Sequence, residues 1–233
     1  MIPFRDNIPS RSFPIITVLI IAANVVAFLF ELALGPYREA FLTQYGVVHA
    51  AVLAWPQADL PISAVTVPFF TSMFLHGGWL HLIGNMWYLW IFGDNVEDRL
   101  GHLTYLLFYL LCGLGAGIVH TLLNYQTVVP AIGASGAIAG VLGAYLVSYP
   151  SARVLTLVPI FVFMQFIEIP ALIVLGFWFI MQFFYGAASL ASATANSGGV
   201  AWWAHVGGFV IGMVLVGLFP RKDRPRYVYE PRF

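Results

Sequence analysis

The sequence predicts an all-α polytopic membrane protein with six transmembrane helices and both termini in the cytoplasm. Three observations carry this. Hydrophobic residues make up 61% of the 233 and charged residues only 9%; a soluble domain carries about 25% charge, so there is too little polar side-chain surface to face water. Several runs long enough to cross a bilayer hold no charge at all. The ten Lys and Arg residues fall almost entirely in segments that six crossings would bring to one side. The formal net charge is zero, and no basic cluster sits beside aromatics, so no nucleic-acid partner is expected.

Residues 1–13 form a short polar tail with Arg5 and Arg11, and no Ala-x-Ala cleavage site follows the next apolar run. That run, 14–30, is charge-free up to Glu31. At ~1.5 Å per residue it is one crossing, a first span rather than a removable signal peptide. Residues 35–78 read as a long outer loop; Trp55, Phe69, Phe70 and Phe74 fit it to the membrane interface, where aromatics prefer to sit. The second span starts near Trp79 and runs to about Gly93 or a turn beyond, leaving 94–102 as a loop.

Between Arg99 and Arg153, and again between Glu168 and Arg221, the chain is uncharged over about twice the length of one helix. The first run is punctuated at 124–133, with Gln126 and Pro130, and the second at 189–199, rich in Ser, Ala, Asn and Gly. Each is therefore two spans. The apolar run 154–167 is short and holds Pro159, so it reads as interfacial or re-entrant. Residues 14–220 thus make the membrane domain, and 221–233 a basic tail. Every Lys and Arg except Arg38 then lies in the N-tail, 94–102, 151–169 or the C-tail. The positive-inside rule puts these in the cytoplasm and 35–78, 125–134 and 188–199 outside. The single cysteine, Cys112, lies in an apolar stretch with no metal-ligand spacing around it and reads as a small buried hydrophobe.

Depth makes the polar residues informative. Ser135, in Gly133-Ala134-Ser135-Gly136, opens span four from outside, and His205 lies a few residues into span six, which enters from the same side. Both fall within ~10 Å of the outer interface. His81 and Asn85 lie near the outer end of span two, four residues apart and so on one helix face. Polar residues within spans usually face the bundle interior or a water-filled cavity. Gly136, Gly140 and Gly143 on span four, and Ala204, Gly208 and Gly212 on span six, offer small faces for close backbone approach. A histidine brought within ~3 Å of a serine hydroxyl is a base beside a nucleophile. Taken singly, the signals have plainer readings. Ser135 fits a helix N-cap, His205 a packed polar residue, and His81 with Asn85 an interhelical hydrogen-bonding pair. Ala137 excludes the Gly-x-Ser-x-Gly elbow. His49, His76, His102 and His120 read as loop or interface histidines, and no His-Glu-x-x-His is present.

Together, His81-Leu82-Ile83-Gly84-Asn85, Gly133-Ala134-Ser135-Gly136 and Ala204-His205-Val206-Gly207-Gly208 resemble the three signature segments of the rhomboid intramembrane serine proteases. The resemblance implies a six-helix rhomboid-like bundle and a Ser–His dyad. Ser135 would be the nucleophile and His205 the general base, then general acid. His81, Asn85 and the Ser135 N–H would form the oxyanion hole, with Gly133 beside them on the substrate-binding side. It implies no metal or cofactor, membrane-spanning protein segments as substrates, the lipid bilayer as partner, and an active site toward the outer face of a membrane, expected to be a prokaryotic plasma membrane. Val96-Glu97-Asp98-Arg99-Leu100-Gly101 resembles the family's Glu-x-x-x-Gly segment, a structural feature. Residues 170–185 and 187–199 would be the gate and cap. Many relatives carry an aromatic four residues after the serine, packed on the base. Here that residue is Ala139, which leaves open what orients His205, and the first outer loop lacks the Trp-Arg pair of some relatives. A dyad with no third carboxylate implies modest turnover. Substrate helices must unwind before attack, so Gly or Pro near their outer end should favour cleavage. A catalytically inactive client-binding protein and a transporter are the competing readings.

Overall fold

The computed structural model describes residues 1–160, 163–191 and 200–219. The first apolar run forms α1 (Ile15–Ala33). The segment expected as an outer loop, 35–78, is not extended chain: it holds α2 (Arg38–Tyr45), α3 (His49–Ala54) and α4 (Ser63–Thr71), with 3-10 turns at Gly35–Tyr37, Trp55–Gln57 and Ser72–Phe74. Then come α5 (Trp79–Leu100), α6 (His102–Leu123), α7 (Ser135–Ser148), α8 (Ala171–Ala191) and α9 (Trp202–Leu218). Of these, Ile15–Ala33, His102–Leu123 and Ala171–Leu190 are long and apolar enough to cross a membrane by length and composition, while α7 and α9 are shorter apolar helices.

Three expectations are corrected. The first concerns 94–102, which is not a loop. Helix α5 continues through it to Leu100, and the joint to α6 shrinks to Gly101, whose φ of 81° suits a residue without a Cβ. The acidic residues stay helical because they have partners across the bundle. Helix α1 has Pro14 at its N-cap and no side-chain cap of its own. Instead, the buried Glu97 carboxylate accepts the Ile16 N–H (2.9 Å), the Thr17 N–H (2.8 Å) and the Thr17 hydroxyl (2.7 Å). A carboxylate at a helix N-terminus satisfies donors that lack intrahelical acceptors. Asp98 accepts from Arg11 and Ser12 just upstream.

The second and third corrections concern strands. The run 154–167, expected as an interfacial or re-entrant segment, falls in two paired strands. It is a hairpin of β2 (Arg153–Ile160) and β3 (Phe163–Pro170), in register from Arg153 opposite Pro170 to Ile160 opposite Phe163. The N-terminal tail supplies β1 (Ile2–Asp6), antiparallel to β2 from Ile2 opposite Leu157 to Asp6 opposite Val154. The resulting sheet has the order β1-β2-β3. The β-branched Val154, Thr156 and Val158 favour this backbone, and Val154 and Thr156 are buried. Pro159 lies past the stretch that β1 covers, so its missing N–H costs β1 no partner.

Helix α7 is buried nearly all round and forms the centre of the bundle. Against α9 it packs backbone to backbone: a Cβ on Gly208 would lie 2.0 Å from the Gly136 carbonyl oxygen, and one on Gly212 2.0 Å from that of Gly140. Tyr105, Phe108 and Tyr109 of α6, Phe92 of α5 and Phe28 of α1 fill the remaining interior and are fully buried. The α7 axis, ~21 Å long at 1.5 Å per residue, separates the sheet at its Ser148 end from the polar cluster at its Ser135 end. The expected cap, 187–199, lies only in part within the described residues, since 192–199 fall outside them, as does the basic tail 221–233.

Candidate active site

Ser135 is the first residue of α7, and Ala134, not Ser135, occupies the N-cap position. The Ser135 hydroxyl therefore does not cap its own helix. It lies 2.8 Å from His205 Nε2. His205 sits in the first turn of α9, one of the faces held against α7 by Gly136 and Gly208. The other ring nitrogen, Nδ1, lies 2.7 Å from Gln182 Oε1 on α8. A carbonyl oxygen only accepts, so Nδ1 carries the proton. Nε2 is then a bare acceptor and the serine hydroxyl donates to it.

The aromatic support for this ring comes from elsewhere than position 139. Ala139 is fully buried in the α7 core. Trp178 of α8 lies over His205 with centroids 5.7 Å apart and planes 33° apart, and Trp202 meets it edge-on at 6.3 Å. Trp178 and Gln182 are four residues apart and share one face of α8. Sequence reading missed both because the pattern to match places its aromatic on α7. The available signal was Gln182 itself, an amide in the otherwise apolar 171–184.

His81 and Asn85 stand on the α5 face that looks toward the start of α7. Gly133 has φ 125°, and its N–H donates to the Ser72 carbonyl at 2.8 Å. A Cβ there would lie 2.7 Å from His81 Nε2 and 3.7 Å from Asn85 Nδ2. Gly133 is thus required both by its backbone angle and by the imidazole packed on it. Asn85 Nδ2 lies 3.0 Å from His76 Nε2 and donates to it. An amide has two N–H groups, so one remains beyond that bond.

His76 lies in a loop as expected, between the 3-10 turn Ser72–Phe74 and α5, but it does not face solvent. It is fully buried, and burial, with His81 nearby, pushes its pKa down to about 4. The ring is therefore neutral at pH 7 and its Nε2 can accept. The turn that carries it is pinned from below: Glu31 accepts the His76 N–H at 3.0 Å, and Arg38 donates to the His76 carbonyl at 2.7 Å and pairs with Glu31 at 3.3 Å. His49 is likewise buried, lies 2.9 Å from the Thr121 hydroxyl and stands edge-on to His120. Burial pushes the pKa of His49 down to about 4. His102 bonds Glu97 at the opposite end of the bundle.

Ser135, His205, His81 and Asn85 line one cavity of about 930 Å³, together with Tyr185 of α8 and Trp202 of α9. Among the described residues no three His, Cys, Asp or Glu side chains converge as a metal site needs. The arrangement places a hydroxyl, a base with a fixed tautomer and two polar side chains around one space. The first N–H groups of α7, which lack intrahelical acceptors, lie at the same helix start.

Residues 64–222 match the rhomboid domain family. The chain is 31% identical over 159 residues to Rhomboid-like protein 11, chloroplastic, of Arabidopsis thaliana, covering 66% of this chain and 52% of the relative. It is 30% identical over 184 residues to the Bos taurus presenilin-associated rhomboid-like protein, mitochondrial, covering 75% and 45%. It is 30% identical over 177 residues to Rhomboid protein 1, mitochondrial, of Saccharomyces cerevisiae, covering 71% and 44%. The chain spans about half the length of these relatives. Their names place them in chloroplasts and mitochondria, which lends no support to a prokaryotic plasma membrane. With a family match over more than half its length and helices apolar enough to span a bilayer, the chain is a membrane protein of the rhomboid family.

Proposed function

We propose that the chain is an intramembrane serine endopeptidase that cleaves membrane-spanning protein segments with a Ser135–His205 dyad. The observation that carries this reading is the 2.8 Å contact between the Ser135 hydroxyl and a His205 ring whose other nitrogen is bonded to a carbonyl. The Ser135 Oγ attacks the scissile carbonyl while His205 Nε2 takes its proton. The oxyanion that forms accepts from His81, from the spare Asn85 N–H and from the Ser135 backbone N–H. His205 then returns the proton to the leaving amine, and water from the cavity repeats the sequence on the acyl-enzyme. In this reading α1, α5, α6, α7, α8 and α9 are six spans. Both termini face the cytoplasm, and the cavity opens toward the opposite face.

The test is reconstitution in lipid vesicles with a transmembrane reporter. The wild type is expected to cleave it, and Ser135→Ala and His205→Ala to abolish cleavage. His81→Ala and Asn85→Ala are expected to slow it by about 10²-fold each, the usual worth of one oxyanion donor. Equal cleavage by wild type and Ser135→Ala would end the dyad. No cleavage by either, with the reporter still co-purifying, would favour a client-binding protein.

A further inference from the structure

The ring of His205 has two neighbours that belong to neither α7 nor α9. Gln182 and Trp178 sit on one face of α8, and both meet the imidazole, one through a 2.7 Å hydrogen bond and one through its ring. Phe209, one turn beyond His205, meets the same helix through Trp178 (6.1 Å) and Phe179 (4.8 Å). Residues 178 and 182 of α8 are therefore seated on 205 and 209 of α9. Gln182 is buried in an apolar helix, where an amide is costly unless it finds a partner. The partner it finds is the nitrogen of His205 that faces away from Ser135.

We propose that Gln182 is the positioning residue of the base. It accepts the Nδ1 proton of His205, fixes the tautomer that leaves Nε2 free for Ser135, and keeps that bond when the ring becomes an imidazolium. A neutral imidazole carries one proton on either nitrogen, and only one of the two tautomers can take a proton from Ser135. With the amide oxygen of Gln182, rather than its NH2, turned to Nδ1, the contact selects that tautomer, the part a carboxylate plays in a Ser-His-Asp triad. The amide carbonyl carries no full charge, so it orients the ring while stabilising the imidazolium less. The third member of the constellation thus stands on a helix that carries neither dyad residue, and the base is correctly set only while α8 is seated on α9.

This inference rests on the protease reading, but one of its tests does not. With ¹⁵N-histidine labelling, the His205 resonance, assigned through its loss in His205→Ala, is expected to report an Nδ1–H tautomer in the wild type. Gln182→Met, similar in size and without the acceptor, is expected to shift it toward Nε2–H. In the vesicle assay Gln182→Met is expected to lower kcat by about 10- to 100-fold, the worth of one hydrogen bond to a group that becomes charged, with KM within about twofold. Gln182→Glu restores an acceptor, so it is expected to recover kcat. Its charge favours the imidazolium, so the acidic limb of the pH profile moves to higher pH. An Nε2–H tautomer in the wild type overturns the proposal, as does wild-type kcat in Gln182→Met. So does equal slowness of the two variants with an unmoved acidic limb, which marks a packing role. Should wild type and Ser135→Ala cleave alike, the protease reading falls while the tautomer result still decides the role of Gln182.

Discussion

At Gly133 a single hydrogen atom in place of a methyl group holds the site open. Its φ of 125° is left-handed, and a Cβ would lie 2.7 Å from His81 Nε2. Gly133→Ala is expected to displace His81 and to cost about 1–3 kcal/mol in backbone strain, with cleavage reduced at least tenfold and a lower thermal midpoint. Gly84→Ala, in the neighbouring signature segment, meets nothing within 4 Å and is expected to leave both measurements unchanged. Equal effects of the two substitutions would sink the account. At this scale the sequence is readable where chemistry leaves a polar residue in an apolar run. Ser135, His205, His81 and Asn85 stand out for that reason, and their shared depth follows from counting residues inward from each loop. Gln182 met the same criterion, but its meaning depends on which way α8 faces α9, which no local pattern encodes. His76 is harder still. Its burial comes from the Glu31 and Arg38 contacts to its backbone, between residues 38 to 45 positions apart in the chain.

Strand β1 shows how an element is missed when only one solvent is considered. A polar tail of a dozen residues has little to bury by itself, and the run after Arg153 invites only the question of whether it crosses the membrane. The alternation of Val154, Thr156 and Val158 is a strand signal, but it needs a partner strand about 150 residues away in sequence, between Ile2 and Leu157. The long apolar helices were legible because each satisfies its own backbone; β1 was not, because its hydrogen bonds reach a strand about 150 residues away. The strand is fastened to the bundle through Asp6, which accepts from Tyr145 of α7 and Asn95 of α5. Burial, reinforced by the nearby Asp94 and opposed by the Tyr145 hydrogen bond, pushes Asp6 up to about 6. A raised carboxyl pKa means that the folded state binds the proton more tightly than the unfolded one. The stabilisation is full below about pH 4, near the unfolded value, and is lost as pH rises through 6. Amide exchange across β1 and β2, corrected for intrinsic rates, is expected to be slower at pH 5 than at pH 7.5, and Asp6→Asn to flatten the difference. Protection that grows with pH would contradict this assignment.

Across the whole molecule, α7 and α9 touch without side chains between them. The distance from Ser135 to His205 is therefore set by carbonyl oxygens against glycine α-carbons, at Gly136 with Gly208 and at Gly140 with Gly212. Gly212→Ala has no flexible neighbour to push aside, and overpacking of this kind costs about 1–3 kcal/mol. It is expected to lower thermal stability and to slow cleavage although it lies two turns from His205. Gly217→Ala on the same helix meets nothing within 4 Å and is expected to behave as wild type; similar losses in both would show that the helix, not the contact, is sensitive. Small-residue spacing made this interface legible, because glycine and alanine at four-residue intervals have few other uses in a span. The sheet at the other end has a consequence for how the chain is made. Strand β1 precedes α1 and its partner β2 follows α7, so in the proposed six-span reading four crossings, α1, α5, α6 and α7, lie between the two strands. The two strands can pair only if every crossing between them is matched by a return, so an odd number of insertions leaves β1 stranded on the wrong side with its hydrogen bonds unmade. On that reading the closing of the small sheet works as a parity check on insertion, completed before α8 and α9, which finish the site.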